Sequence, residues 1–576
     1  MKPISNNLYI LGICGQGHAA FDLSGIGHDP AAALIKDGKL IAAAEEERFI
    51  RLKHARGHFP YNAIKFCLDY AGIGIEDIDY IVGNFKPELI SKIYARDKFF
   101  KRPLKAMQIT IGSKVIKKKY LDCVKRIPYF LKERKELATE IIKKFETVEH
   151  HLAHASSAYH VSGFDKSNII TMDACGEATT TLISKGEDGL IKKIRETFIP
   201  QSIGGFYSLF TEYLGFEPND GEYKVMGLAP YGKKCIDVSD LIKVVDGCVV
   251  VDQKINGSYY RYSEYVINRF GPPRKKGDVV DERHANIAYA IQERLEEICM
   301  DLLKFSLGKI DSKNLCLAGG VALNSKMNGK LLSSGLINNI FIQPAAGDAG
   351  TAIGAAFYKY VELGYKPNEK MEHVYYGPEF TNEEIENALK LSKVKYEFYD
   401  DISGICAELI AKGNIVGWFQ GRMEWGPRAL GNRSILADPR NPKMKDLINQ
   451  YVKFREEFRP FCPSMLASAA KEYLEGAYPS PFMILTFKVP EEKRREIPAV
   501  VHVDGTVRPQ TVEKHINERF YNLIKSFEEL TSVPVVLNTS FNIAGEPIVC
   551  RPIEAIRTFY SCGMDYLAIG NYLIKK

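Results

Sequence analysis

Three glycine-marked strand–turn units lie far apart in the 576-residue chain, and they limit its architecture more than any other feature. The first, AAALIKDGKLIAAAEE (31–46), sets two apolar runs around Asp37-Gly38, a pair suited to the positive φ angles of a tight hairpin turn. The second, NIITMDACGEATTTLISK (168–185), repeats a strand–turn–strand pattern. The third, KNLCLAGGVALNSKMNGKLLSSG (313–335), reads as a strand, a tight turn and the start of a helix. Helical patterning fills the spaces between them. PYNAIKFCLDYAGIGIEDIDYIVG (60–83), for example, predicts an amphipathic helix, a glycine stop and a buried strand. Together these pieces predict an α/β domain assembled from distant parts of the chain. Polar, Pro- and Gly-marked chain around LGYKPNEKMEHVYYGPEF (363–380) places a boundary near residue 373. The expected domains are 1–372 and 373–576, since one core does not serve a chain this long.

Composition excludes several classes. Apolar residues at 45% and charged residues at 26% are ordinary for a globular protein and argue against wholesale disorder. A formal net charge of +6 does not by itself imply a nucleic-acid partner. The twelve cysteines form no C-x-x-C pair, which argues against a zinc ribbon or disulfide framework and fits thiols kept reduced in a cytosol. No signal-peptide layout opens the chain, and no stretch approaches the roughly 18–20 apolar residues of a membrane span. A cytoplasmic protein without a membrane partner is expected. The basic stretch Asp97–Glu136 reads as a solvated helical insertion.

Four of the twelve histidines fall in VEHHLAHASSAYH (148–160). On a helix, His150 and His154 sit one turn apart on one face, and His151 points elsewhere. A metal site needs further ligands. Two carboxylates qualify: Asp173, ending an apolar strand in TMDACGE, and Asp348, between glycines ahead of a small-residue helix in QPAAGDAGTAIGAA. Each alone equally suits a helix N-cap. Together with the histidines they form a two-imidazole, two-carboxylate set fit for iron, zinc or manganese. Gly319-Gly320 lets a backbone approach an adenosine or phosphate, or simply makes a tight turn; no Walker A ending is present.

The C-terminal part concentrates arginine. GRMEWGPRALGNRSILADPR (421–440) packs Arg422, Arg428, Arg433 and Arg440 around Trp425, with Trp418 just before it. Lys453, Arg455 and Arg459 follow among aromatics, then Arg508, then Asn538, Ser540 and Asn542 in LNTSFNIAGEPIV. Arginines beside Gly and Pro predict a fixed cluster for phosphate or carboxylate. Their placement in separate short loops favours a small anion over a single-stranded nucleic acid.

The chain-wide series HDPAAALIKDGKLIAAAEEERF, EHHLAHASSAY, MDACGE, GEYKVMGLAPYG, GGVALN, GDAGTAIGAA, WGPRALGNRSILADPR, KFREEFRPF and LNTSFNIAGEPIV resembles the O-carbamoyltransferases of antibiotics, nodulation factors and related products. The resemblance implies an N-terminal domain of the ASKHA class (actin, sugar kinase, heat-shock ATPase) and a YrdC-like α/β C-terminal domain. It implies that the C-terminal domain joins carbamoyl phosphate and ATP, with Mg2+, into carbamoyl adenylate. The N-terminal domain then passes the carbamoyl group to an acceptor hydroxyl on a sugar or natural product. By the same resemblance the metal ligands fall on His150, His154, Asp173 and Asp348, with Fe2+ expected ahead of Zn2+ or Mn2+. Nucleotide contacts fall on Gly176, Gly319, Gly320, Asn324 and Asp348. Carbamoyl phosphate contacts fall on Arg428, Lys453, Arg459, Arg508, Asn538 and Ser540. His28 and Lys53 resemble the groups that hold the carbamoyl moiety during transfer. The chain departs from the family pattern in the leader CGQGHAAFDLSGIG (14–27), which lengthens the loop before His28, and at Ala174 and Cys175, where relatives are more glycine-rich. A homodimer is expected, and a nucleic-acid partner is not.

Other readings stay open. A threonylcarbamoyl-type transferase acting on tRNA would use Asp97–Glu136 as its nucleic-acid surface. A non-transferase ASKHA ATPase would leave the C-terminal arginines without a role. A metallohydrolase is disfavoured, because His151 stands where H-E-x-x-H has its Glu. As general base, Glu222 in GEYKVMG competes with its alternative as a surface partner of Lys224.

Overall fold

The computed structural model describes residues 7–15, 27–90, 103–257 and 261–576; most of the leader before His28 (16–26) and the start of the basic segment (97–102) lie outside the described residues. The chain divides into two compact units, one of Met1–Ile50 and His54–Met371, the other of Arg51–Lys53 and Glu372–Lys576.

The first unit traces one five-stranded path twice. Strands β1 (Tyr9–Cys14), β2 (Ala31–Lys36), β3 (Lys39–Glu45), β4 (Tyr80–Gly83) and β5 (Phe145–Thr147) lie in the order β3-β2-β1-β4-β5. The β1–β2 and β2–β3 pairs are antiparallel, and β1–β4 and β4–β5 are parallel. Strands β6 (Lys166–Met172), β7 (Thr179–Glu187) and β8 (Leu190–Phe198) begin the path again. After a separate hairpin, β9 (Ile242–Val245) and β10 (Cys248–Val251), strands β11 (Asn314–Ala318) and β12 (Asn339–Ile342) complete it in the order β12-β11-β6-β7-β8. The pairing directions match those of the first sheet. This duplicated topology is that of the ASKHA class.

Local chemistry explains the elements. Asp37 and Gly38 turn the β2–β3 hairpin with φ of 51° and 79°. Gly72, in the left-handed conformation, stops the helix Tyr61–Ala71. Strands β1 and β2 are buried along nearly their whole length, so they read as continuous apolar runs and not as an alternating pattern. Each buried Ile or Leu there contributes ~1.5–3 kcal/mol.

Both paths continue into a helix: His150–Tyr159 after β5, and Thr351–Glu362 beyond β12. The two helices meet at backbone distance, with the Ser156 hydroxyl donating to the Gly354 carbonyl at 2.7 Å. The central helices therefore deliver the end of each half to one place.

The second unit is built on an eight-stranded sheet. Its strands are β13 (Glu397–Phe398), β14 (Val416–Phe419), β15 (Arg433–Ala437), β16 (Cys462–Leu466), β19 (Gln510–Val512), β20 (Val535–Ser540), β21 (Tyr566–Ile569) and β22 (Tyr572–Lys575), while β17 (Phe487–Lys488) and β18 (Thr506–Val507) pair separately. The sheet order is β13-β22-β21-β14-β15-β20-β16-β19. Helices Ile402–Ala411 and Glu518–Thr531 pack on each other and bury Ile402, Phe520 and Phe527. Both tryptophans are core residues.

The basic segment forms the helix Pro103–Lys125, on which Lys114, Lys117, Lys118 and Lys125 are exposed. None of the twelve cysteines, all of them among the described residues, forms a disulfide. Among the described residues, no helix is long and apolar enough to cross a membrane.

Candidate active site

The helix His150–Tyr159 turns His150 and His154 toward Asp173, just after β6, and Asp348, at the entry to the helix Thr351–Glu362. His154 Nε2 lies 3.1 Å from Asp173 Oδ2 and 3.8 Å from Asp348 Oδ1; the corresponding distances from His150 Nε2 are 3.5 and 3.6 Å. One donor atom from each residue falls within 4.8 Å of all the others. All four side chains are buried. Burial, followed by the neighbouring His150, holds His154 below the usual imidazole range, which keeps a neutral lone-pair donor beside two carboxylates. Two imidazole nitrogens and two carboxylate oxygens converging in a buried space fit a divalent cation, which would offset the repulsion between the acids. His151 turns away and pairs through Nδ1 with Thr171 Oγ1 at 2.7 Å.

The surroundings hold this geometry. Glu177 accepts the His150 backbone N–H at 3.1 Å and that of Lys86 at 2.7 Å, so a carboxylate from the β6–β7 loop caps the ligand helix. Burial pushes the Glu177 carboxyl up to about 7. A methyl on Gly176 would lie 3.0 Å from His151 Cδ2, and one on Gly320 would lie 3.2 Å from Asp173 Oδ1. Gly319, at φ 91°, approaches the Met172 carbonyl too closely for any side chain. These three glycines thus line the edge of the four-residue cluster. Asn324 lies further along the chain as the cap of the helix Ser325–Ser333; its side chain accepts from Met327 N–H and exchanges hydrogen bonds with Gln292.

His28 sits in the first unit, its Nδ1 2.9 Å from Asp29 Oδ2. Lys53 belongs to the second unit, where its charge bears on Lys453. The structure therefore assigns the two residues to different units. Glu222 accepts the Ser208 hydroxyl at 2.6 Å and the Asn219 N–H at 2.9 Å, which makes it a loop brace.

In the second unit the arginines divide. Arg433 is fully buried, lies 3.7 Å over the Phe419 ring, and donates to the carbonyls of Pro378, Gln420, Gly421 and Asn432. Arg440 grips Asp438 with both sides of its guanidinium. Arg422 donates to the Tyr376 and Gly377 carbonyls. The expectation that Arg422, Arg428, Arg433 and Arg440 form one anion cluster is corrected: three of the four are engaged by the fold, Arg422 and Arg433 by backbone carbonyls and Arg440 by the Asp438 carboxylate and the Ala411 carbonyl.

A different crowd of cations remains. Lys453 is buried, and its Nζ donates to Ser540 O, Ser540 Oγ, Asn542 O and Asn542 Oδ1 at 2.7–3.2 Å. Burial first, then the charges of Arg455, Arg459 and Lys53, hold this lysine well below its usual range. Such a group gains strongly from an incoming anion. Arg508 faces the Cys462 sulfur at 3.0 Å. Asn538, on the neighbouring strand, donates to Ala429 O and Ser464 Oγ, and the half-buried Arg428 precedes Ala429.

Spacing alone did not disclose Glu177, His54, Asp220 and Asn542 as structural partners of these groups. Glu177 lies inside the DACGE motif, and His54 directly follows Lys53.

Residues 22–357 match the family described as Carbamoyltransferase N-terminus, and residues 407–576 match Carbamoyltransferase C-terminus. An uncharacterized protein of Synechocystis sp. is 41% identical, over 95% of this chain and 95% of its own. Nodulation protein NolNO of Sinorhizobium fredii is 40% identical, over 95% of this chain and 79% of its own. Nodulation protein NolO of Bradyrhizobium diazoefficiens is 40% identical, over 74% and 79%. Both halves of the chain are matched, and the chain belongs to the carbamoyltransferase family: it is a carbamoyltransferase.

Proposed function

We propose that the protein is an ATP-dependent O-carbamoyltransferase with two chemical stations. A YrdC-like second unit hydrolyses carbamoyl phosphate, consuming one water, to carbamate and phosphate; a carbamate oxygen then displaces pyrophosphate from the α-phosphorus of ATP to give carbamoyl adenylate. The first unit passes the carbamoyl group to a hydroxyl of a sugar or natural product, and AMP leaves. The observation that carries this reading is the division of charge. One unit holds a buried four-donor set for a cation, and the other a crowd of cations around Lys453.

Each part has a physical reason. Lys453, Arg428, Arg459 and Arg508 would neutralise the phosphate, while Asn538 and Ser540 orient it. A closed, basic site shields the short-lived carbamate from water. At the other station, His150, His154, Asp173 and Asp348 would hold Fe2+, or Zn2+ or Mn2+. A divalent ion there supplies Lewis-acid polarisation of the carbamoyl oxygen or of the leaving phosphate. Gly176, Gly319 and Gly320 border that set and give a nucleotide close access to backbone N–H groups. His28 would steady the carbamoyl group in the first unit, and Lys53 would do so in the second.

The test uses purified protein with ATP and carbamoyl phosphate and no acceptor, assaying pyrophosphate release and carbamoyl adenylate by mass spectrometry. Adenylate is expected from the wild type and from His150→Ala, and not from Arg428→Ala. No carbamoyl-phosphate-dependent product from the wild type with metal supplied would overturn the reading.

A further inference from the structure

His54 stands between two carboxylates of the first unit. Its Nδ1 lies 2.7 Å from Asp29 Oδ1, and its Nε2 lies 3.3 Å from Asp220 Oδ1. The other oxygen of Asp29 lies 2.9 Å from His28 Nδ1. A four-member chain, His28–Asp29–His54–Asp220, therefore joins the loop that carries His28 to the loop braced by Glu222. We infer that His54 is a positioning residue for carbamoyl transfer: it clamps Asp29 against Asp220 and so fixes the His28–Asp29 pair. This inference rests on the role proposed above for His28.

Hydrogen-bond bookkeeping supports it. Both ring nitrogens of His54 face carboxylate oxygens, and only a doubly protonated imidazole donates to both. The groups facing it are Asp29, Asp220 and Glu47. Glu47 accepts the His54 backbone N–H at 2.7 Å and is itself paired with Arg48 at 2.8 Å. Burial opposes the charge, but hydrogen bonds to Asp220 and Asp29 outweigh it and raise His54 to about 10. Burial likewise opposes ionisation of Asp29, yet hydrogen bonds from His28 and His54 hold it well below the usual carboxylate range. An ionised Asp29 accepts the His28 Nδ1–H, which leaves Nε2 as the nitrogen bearing the lone pair.

The backbone points the same way. Asp29 (φ 55°), His54 (φ 62°), Ala55 (φ 41°) and Asn219 (φ 62°) all lie in the left-handed region. Four such non-glycine residues around one clamp are held there by their contacts, among them the Asp29 N–H to His54 carbonyl bond at 2.8 Å.

The experiment is 15N–1H correlation NMR of the full-length protein labelled in its histidine rings, with signals assigned through His28→Gln and His54→Gly. Glycine suits the left-handed φ at position 54, so that variant keeps the turn and opens a space for free imidazole. At pH 8, His54 is expected doubly protonated and His28 in the single Nδ1–H form. In His54→Gly the His28 signals should shift toward tautomer averaging, and tens of millimolar imidazole should restore them. Asp220→Asn, which leaves the 51–55 turn untouched, should move the same signals in the same direction. A neutral His54 at pH 8, or His28 signals unmoved in both variants, overturns the proposal. So does loss of one equivalent of bound divalent metal from His54→Gly, which would make Asp29, Glu47 and His54 ligands instead. Adenylate formation by the same samples is expected to be equal in wild type and His54→Gly. Its absence from the wild type would sink the two-station reading while the NMR result still decides the clamp.

Discussion

A methyl group on the α-carbon of Gly354 would lie 1.7 Å from the carbonyl oxygen of Ala153. The obstructing atom is backbone within a helix, so it cannot swing aside as a side chain would. Gly354→Ala is expected to cost about 1–3 kcal/mol or more through forced separation of the two central helices. A thermal melt measures that loss. Bound metal should weaken in parallel, since one helix carries His150 and His154 and the other begins beside Asp348.

Removing one imidazole tests the donor set directly. His154→Ala is expected to lose the divalent metal, read by elemental analysis of the purified protein, and to lose transfer while keeping adenylate formation. In the wild type, metal at 100 times its Kd should stabilise the fold by about 2.7 kcal/mol. An equal melting response of the two proteins to added metal would remove the set from consideration.

The cation crowd makes a sharper demand on Lys453. Its Nζ reaches four acceptors, and the nearest is Asn542 Oδ1 or Ser540 O at 2.7 Å. Lys453→Met should lower kcat/KM for carbamoyl phosphate by about 30- to 1,000-fold, matching the ~2–4 kcal/mol lost on truncating a buried, hydrogen-bonded charge. Asn542→Ala should lower it less, since Ser540 and the carbonyls remain. Steady-state pyrophosphate release ranks the two.

One acid sets a pH dependence of stability. Burial pushes Glu369 up to about 7, with Lys39 pulling the other way. Its folded pKa lies above the unfolded 4.5, so the folded state favours the neutral acid. Stability should therefore fall as pH rises from 4.5 to 7 and stay reduced above that. Glu369→Gln is expected to raise the melting temperature by a few degrees, ~1–4 °C, at pH 8. At pH 4 it should change little.

His54 carries the opposite sign. Its folded pKa of about 10 exceeds the ordinary 6.5, so its stabilisation is complete below pH 6.5 and lost as pH rises through 10. Wild type should lose melting temperature over that alkaline window more steeply than His54→Gly.

Much of this was legible where one element contains all the parts. Asp37-Gly38 announces its hairpin, and the spacing of His150 and His154 places both on one helical face. Strand-end and helix-entry positions in glycine-marked sequence singled out Asp173 and Asp348. The arginines near 421–440 misled, since composition does not show that Arg433 stacks on Phe419 and donates to four backbone carbonyls. Glu177 as a cap for His150, and the His54–Asp220 contact over 166 residues of sequence separation, depend on how loops from different strands meet. Local periodicity holds no record of such meetings.

The duplicated path of the first unit has a mechanical consequence. Its two halves touch where Ala153 and Gly354 lie backbone to backbone, and the four-donor set sits one turn away. A contact that tight leaves no room for a side chain between the two helices, so main-chain atoms, and not the packing of side chains, set how far the helix bearing His150 and His154 stands from the helix that begins beside Asp348.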